Sequence, residues 1–136
     1  MKICSKCNIE KPKTEFYKEN RSKQGVQSMC KLCFKKWQQS NQGKISARKA
    51  HLSQKYNISL QDYDDLLLMQ NHCCEICGEN VENCEKGSGN RLAVDHCHNT
   101  NKVRGLLCSA CNILLGKAKD NISILQSAIN YLTIKR

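Results

Sequence analysis

Val94-Asp95-His96-Cys97-His98 is followed, after Asn99-Thr100-Asn101-Lys102, by Val103-Arg104-Gly105-Leu106-Leu107-Cys108-Ser109-Ala110-Cys111-Asn112, and the fold turns on this stretch. Leu92 to His96 is a short apolar run ending in an acid and a histidine, so it reads as a strand. The Asn and Thr residues after His98 supply turn chemistry, and Val103 to Leu107 reads as a second strand. Together they predict a hairpin. Cys108 then opens a helix expected to run to Leu115 and to stop at Gly116.

Cys108 and Cys111 also form a C-x-x-C pair, which Cys74-Glu75-Ile76-Cys77 matches upstream. Such a pair sets two thiolates on one tight turn, and two turns complete a tetrahedron around Zn²⁺. Cys73 competes with Cys74, but only Cys74 has the right spacing to Cys77. A second set, Cys4, Cys7, Cys30 and Cys33, repeats the arrangement near the start of the chain. The expectation is two structural zinc ions. Four protein ligands leave no open position, so these ions should fold the chain rather than catalyse. Cys73, Cys84 and Cys97 are left over, and each is expected to fill space. His51 and His72 have no partner at metal spacing and are read as surface or interface residues.

The remainder of the chain fits that dependence on metal. In 136 residues, 40% are hydrophobic but only 5% aromatic, which is little material for a core, and small chains of this kind are commonly stapled. Met1 is followed at once by Lys2, Cys4 and Cys7, without the apolar run of a signal peptide or membrane span. The expected compartment is therefore the cytoplasm, where paired thiols bind metal rather than form disulfides. Eleven cysteines, an odd number, also suit disulfide pairing poorly.

The formal net charge is +10, and two tetrathiolate zinc sites lower it to roughly +6. The positive charge is concentrated. No Asp or Glu occurs from Asn20 to Gln61, a span holding Lys31, Lys35, Lys36, Lys44, Arg48 and Lys49. A solvated helix usually interleaves both signs, so these six residues are candidate phosphate contacts. Residues 1–40 are expected to form an N-terminal zinc module and 41–55 a basic helical linker. Residues 56–136 hold the second module. Within them Ser59 should cap a helix from Leu60 to Gln70, and Asp120 or Asn121 a final helix. The spacing of Ile122, Leu125, Ile129 and Leu132 predicts that the final helix closes the core.

Asp95 and His96 lie at a strand end, and Asn112 lies one residue beyond the last thiolate. A zinc gripping Cys108 and Cys111 fixes the helix against the hairpin and brings the Asn112 amide toward Asp95. Two oxygen ligands with open positions suit Mg²⁺ or Mn²⁺, which retain waters that phosphate can displace. His96, beside but directed elsewhere, is placed to take a proton from water. An Asp-His pair alone is a weak signal; its position inside the zinc frame gives it weight.

These residues resemble the recombination endonuclease VII family, a zinc-containing branch of the HNH or ββα-metal nucleases. The resemblance is carried by Cys74-Glu-Ile-Cys77, Val94 to His98, Val103 to Cys108 and Cys111-Asn112, with Tyr56 to Tyr63 and Ala128 to Leu132 adding to it. It implies an α+β fold, in which a small zinc-stapled ββα-metal core of hairpin and helices is preceded by a zinc module. It also implies that Asp95 and Asn112 bind the catalytic cation, that His96 is the general base, and that His98 touches metal or phosphate. Arg104 stands where a phosphate contact is expected. The first 36 residues resemble the zinc-ribbon-like segment of phage and intron-encoded HNH nucleases. By resemblance the chain is a one-metal DNA endonuclease encoded by a phage or mobile element and working in a bacterial host cell. It is expected to act as a homodimer, since one such site cuts one strand.

Within that reading a site-specific homing or restriction enzyme and a Holliday junction resolvase both remain open. Outside it stands a non-catalytic zinc module that binds nucleic acid, in which Asp95 and His96 are structural. A cation held between Asp95 and Asn112 separates the two. A redox or zinc-handling role fits poorly, because closed sites use the paired thiols.

Overall fold

Strands of two to five residues bury too little to stand alone, and residues 1–30 are built from such pieces. In the computed structural model, which describes residues 1–83 and 91–134, β1 (Lys2–Ile3) pairs antiparallel with β2 (Glu10–Lys11). Likewise β3 (Phe16–Lys18) pairs with β4 (Val26–Cys30). The buried core here is Cys4, Phe16, Val26 and Cys30, so half of it consists of metal-ligand candidates.

β4 runs directly into α1 (Lys31–Gln39), and α2 (Asn41–Tyr56) follows after a break at Ser40. The basic stretch is therefore two helices rather than one. Ser40 makes the break: its hydroxyl donates to the Trp37 carbonyl (2.6 Å) and accepts from the Gly43 N–H (3.2 Å). A Cβ at Gly43 would collide with the Trp37 carbonyl oxygen, so the close approach of the two helices requires glycine there.

The chain divides into two compact units, Met1–His51 and Leu52–Arg136. In the second, α3 (Leu60–Met69) starts at the expected cap: Ser59 Oγ accepts from Asp62 N, and the Asp62 carboxylate accepts from Ser59 N, a reciprocal capping box. Those bonds from Ser59 hold the Asp62 carboxyl below its ordinary range. β5 (Ala93–His96) and β6 (Val103–Leu107) form the expected hairpin. Ala93 faces Leu107, Val94 faces Leu106 and Asp95 faces Gly105, with an irregularity before His96 pairs with Val103. α4 (Ser109–Lys117) packs on both strands, completing a strand, strand, helix unit. Leu52, Tyr63, Leu92, Val94, Leu106 and Leu107 are buried together with Cys74, Cys108 and Cys111. Each fully buried aliphatic side chain contributes about 1.5–3 kcal/mol relative to exposure. The fold is thus mixed α+β.

Two expectations need correction. Helix α4 does not stop at Gly116; it continues one residue further, to Lys117, and closes in a Schellman arrangement. Lys119 N–H donates to Gly116 O and Asp120 N–H to Leu115 O, both at 3.1 Å. Lys119 and Asp120 both take left-handed φ of 54°, so backbone hydrogen bonding overrides the preference for glycine. The final helix, α5 (Ile122–Ile134), is capped by Asn121, whose Oδ1 accepts from Ile124 N. It does not close the core. It buries no residue, and Ile122 and Ile134 are 81% and 79% exposed. Periodicity showed an apolar helix but not what covers it. Cys84 lies outside the described residues.

Candidate active site and zinc centres

Both cysteine tetrads assemble. The sulfurs of Cys4, Cys7, Cys30 and Cys33 lie within 4.8 Å of one another, as do those of Cys74, Cys77, Cys108 and Cys111. A tetrahedral Zn–S distance of about 2.3 Å implies sulfur pairs about 3.8 Å apart, and Cys77 Sγ to Cys108 Sγ is 3.7 Å. The donor sets therefore fit zinc.

The two centres share one backbone plan. In the first pair Asn8 N–H donates to Cys4 O, and Cys4 N–H to Ile9 O; in the other module Gly78 and Glu79 take the same places relative to Cys74. Asn8 and Gly78 both have positive φ, 55° and 70°. The second pair in each module begins at the residue that caps a helix, Cys30 for α1 and Cys108 for α4. Backbone N–H groups point at the sulfurs, with Cys30 N to Cys4 Sγ at 3.3 Å and Cys111 N to Cys108 Sγ at 3.4 Å. The bond from Cys30 leads in bringing the Cys4 thiol down to about 6. Burial pushes the Cys74 thiol up, but N–H groups of Cys77, Cys108 and Ile76 outweigh it and bring that thiol to about 6 as well. Thiolate is the form that binds metal.

Asp95 is 8% exposed, an unusual place for a carboxylate. Both its oxygens are engaged by Arg104, Nε to Oδ2 at 2.6 Å and Nη2 to Oδ1 at 2.9 Å. The same Nη2 donates to Asp120 Oδ1 at 3.2 Å, and Asp120 Oδ2 lies 4.0 Å from His98 Nδ1. Hydrogen bonding to Asp95, and then to Asp120, holds the Arg104 guanidinium above its ordinary pKa. A buried acid whose two oxygens already face a cationic group is a hard-ligand position compatible with a divalent cation.

His96 is half-buried between rings, with its centroid 5.2 Å from Tyr56 and 5.0 Å from His98, both edge-on. Asn112 is half-buried on α4, where its N–H closes the first turn to Cys108 O at 3.0 Å. Asp95, His96, His98 and Arg104 are thus brought together on the hairpin, with Asn112 on the helix that packs against it. His98, Arg104, Lys119 and Asp120 border a cleft of about 510 Å³. Asp120 is the residue that sequence reasoning missed. It was weighed only as a helix cap, and nothing local signals a partner sixteen positions earlier.

Cys97 closes the hairpin turn through its backbone, accepting from Asn101 N and donating to Lys102 O. Its thiol is lowered first by a bond with the Thr100 side chain. Cys73 Sγ donates to Asn71 O, and neither cysteine joins a tetrad. In the first unit Lys35, Lys36, Lys44 and Lys49 are exposed on α1 and α2, and Arg48 is half-buried. The Lys31 ammonium donates to Thr14 O at 2.7 Å and sits over the Tyr17 ring.

Comparison with known proteins adds four findings. The gene 59 protein of Mycobacterium phage D29 is 44% identical over 78 residues, covering 57% of this chain and 44% of that protein. Its counterpart in Mycobacterium phage L5 is 41% identical over the same length and coverage. The chain spans less than half the length of these curated relatives. Among solved structures, the ββα-Me type II restriction endonuclease Hpy99I aligns over 98% of this chain and 65% of its own, at 24% identity and a TM-score of 0.43. The profile of the recombination endonuclease VII family matches residues 49–134, well over half of the sequence and including the second tetrad, Asp95, His96 and Asn112. The chain belongs to the recombination endonuclease VII family.

Proposed function

We propose that the protein is a metal-dependent DNA endonuclease whose active centre is built on Asp95, His96 and Asn112. The observation that carries this reading is the buried Asp95 at a strand end, beside His96 and inside a zinc-fixed frame of hairpin and helix. Asp95 and Asn112 would hold one Mg²⁺ or Mn²⁺, which when bound supplies stabilisation of the negative charge on phosphate and leaving oxygen. His96 takes a proton from the attacking water, whose oxygen bonds to phosphorus as the bond to the leaving oxygen breaks. Tyr56 and His98, edge-on to the imidazole, hold its orientation. In this reading His98, which is exposed, touches phosphate.

Residues 1–40 serve in this reading as a zinc module for DNA contact and 41–55 as a basic helical segment, with 56–136 as the nuclease domain. Lys31, Lys35, Lys36, Lys44, Arg48 and Lys49 supply charge for the DNA backbone. The uncharged, exposed apolar helix α5 supports a homodimer that cuts both strands.

The test is cleavage of supercoiled plasmid and a labelled four-way junction, by wild type and His96→Ala, with Mg²⁺ or with EDTA. Metal-dependent cutting lost in a variant that still binds DNA upholds the reading, and the preferred substrate separates a junction resolvase from a site-specific enzyme. Equal DNA binding by both proteins with no cutting by either makes the chain a non-catalytic zinc module.

A further inference from the structure

Arg104 carries two carboxylates on one guanidinium. It covers both oxygens of buried Asp95 and uses a shared nitrogen to reach Asp120. Asp120 is less enclosed, with its side chain 27% exposed against 10% for Asp95. It also stands on an unusual piece of backbone, the second of two successive non-glycine residues in the left-handed region, fixed there by its own N–H to Leu115 O. Such conformations cost about 1–3 kcal/mol each and persist where the surrounding structure enforces them. The chain thus holds an acid beside an arginine that already has a bidentate partner. A second acid is superfluous if the Arg104–Asp95 pair is permanent.

The geometry points to an exchange: Arg104 and a divalent cation compete for Asp95, and Asp120 is the positioning residue that retains Arg104 in the cleft when the cation takes Asp95. This rests on the reading of Asp95 as a cation ligand. Arg104 and a divalent cation draw on the same two oxygens of Asp95, and their like charges repel at that distance, so each weakens the hold of the other. Released from Asp95 but anchored by Asp120, the guanidinium keeps its five donors at the cleft, where a phosphate anion is its natural acceptor. One side chain thereby neutralises the buried acid before the cation arrives and offers a phosphate contact afterwards.

The test is Mn²⁺ binding to the zinc-loaded full chain, read from loss of the free-ion electron paramagnetic resonance signal, with zinc content and circular dichroism verifying the fold of each variant. Asp95→Asn sets the baseline: if it binds Mn²⁺ as wild type does, the cation assignment itself fails. If it loses binding, the exchange is judged by four further variants. Arg104→Ala should bind Mn²⁺ roughly ten- to a hundredfold more tightly, the range expected for a charge-assisted competitor. Lys119→Ala removes the same charge from the same cleft without touching Asp95 and should change affinity much less. Asp120→Asn should weaken Mn²⁺ binding in wild type but have little effect in the Arg104→Ala background, because it acts through Arg104. If Arg104→Ala binds no more tightly than Lys119→Ala, or Asp120→Asn weakens binding equally in both backgrounds, the exchange is overturned while the cation assignment stands.

Discussion

The side-chain amide of Gln70 clasps the peptide of Leu106 from both sides: its Oε1 accepts from Leu106 N at 2.8 Å and its Nε2 donates to Leu106 O at 2.9 Å. A two-stranded hairpin has open edges, and here one glutamine at the end of α3 stands in for a third strand beside β6. Glu75 N–H adds a bond to the same Leu106 carbonyl. Gly105 permits the approach, since a Cβ there would lie 3.3 Å from Gln70 Oε1. The catalytic candidate Asp95 faces Gly105 across the ladder, so this clasp supports the strand pair that carries it.

Gln70→Ala should therefore destabilise the zinc-loaded protein by about 1–3 kcal/mol, the cost of leaving part-buried peptide groups unpaired. Gln70→Glu keeps the acceptor but sets a carboxylate oxygen against the Leu106 and Cys73 carbonyls, to both of which the amide donates at 2.9 Å, so it should cost at least as much. Urea unfolding followed by circular dichroism measures both. A wild-type midpoint for Gln70→Ala would remove the clasp from the account of stability.

Two tetrads predict two zinc ions per chain, measurable by atomic absorption. Cys4→Ser should lose one and leave the spectroscopic signature of the second unit in place, whereas Cys74→Ser should lose the other ion and cooperative unfolding of the hairpin unit with it. A strong thiol-competing chelator should unfold the wild type, because binding energy at such centres is folding energy.

Tyr56 lies edge-on to His96. Under the proposed function, Tyr56→Ala should lower kcat about tenfold, as expected for a loosened general base whose full contribution is 10²–10⁴. It should leave DNA affinity within about twofold, since ring packing against His96 supplies no charge to the phosphate backbone. Tyr56→Phe should be closer to wild type. Single-turnover rates with a nicked plasmid readout distinguish the three; an unchanged rate for Tyr56→Ala would show that His96 is oriented by other contacts.

Exposed Lys35, Lys36, Lys44 and Lys49 predict a salt-dependent component of DNA binding. Each Lys→Gln change that removes a phosphate contact should reduce the slope of log affinity against log salt by about one, irrespective of DNA sequence. Fluorescence anisotropy across a salt series measures it, and unchanged slopes in all four would move the DNA surface elsewhere.

The bare apolar surface of α5 gives a fifth expectation. Replacing Ile129 and Leu132, 57% and 66% exposed, with lysine should leave the fold intact and shift sedimentation toward monomer. A wild type that sediments as a monomer at all concentrations would exclude the homodimer.

Metal spacing was the most legible feature: C-x-x-C pairs identify both tetrads because tetrahedral coordination restricts the spacing so strongly. The hairpin was equally open to reading, since Leu92 to Val94 and Leu106 to Leu107 are apolar, with Asn99, Thr100 and Asn101 as turn residues between them. The Ser59 cap announced α3 through one hydroxyl and the acid three residues on. What stayed hidden depends on contacts distant in sequence. Asp120 meets Arg104 only because α4 runs past Gly116 and its end folds into a left-handed turn. Gln70 reads as the last polar residue of a helix, and only the folded hairpin gives it Leu106. For α5, periodicity reports an apolar surface without saying whether the chain itself supplies the cover.

Cys108 directly follows β6, caps α4 and belongs to a tetrad at once. The strand carrying Arg104 and the helix carrying Asn112 therefore meet at a single thiol ligand, and a zinc ion bound there would hold the two together. Under the proposed function, scarcity of zinc would undo the catalytic frame itself. Under that reading, the supply of an ion with four protein ligands would govern how much folded protein a cell holds.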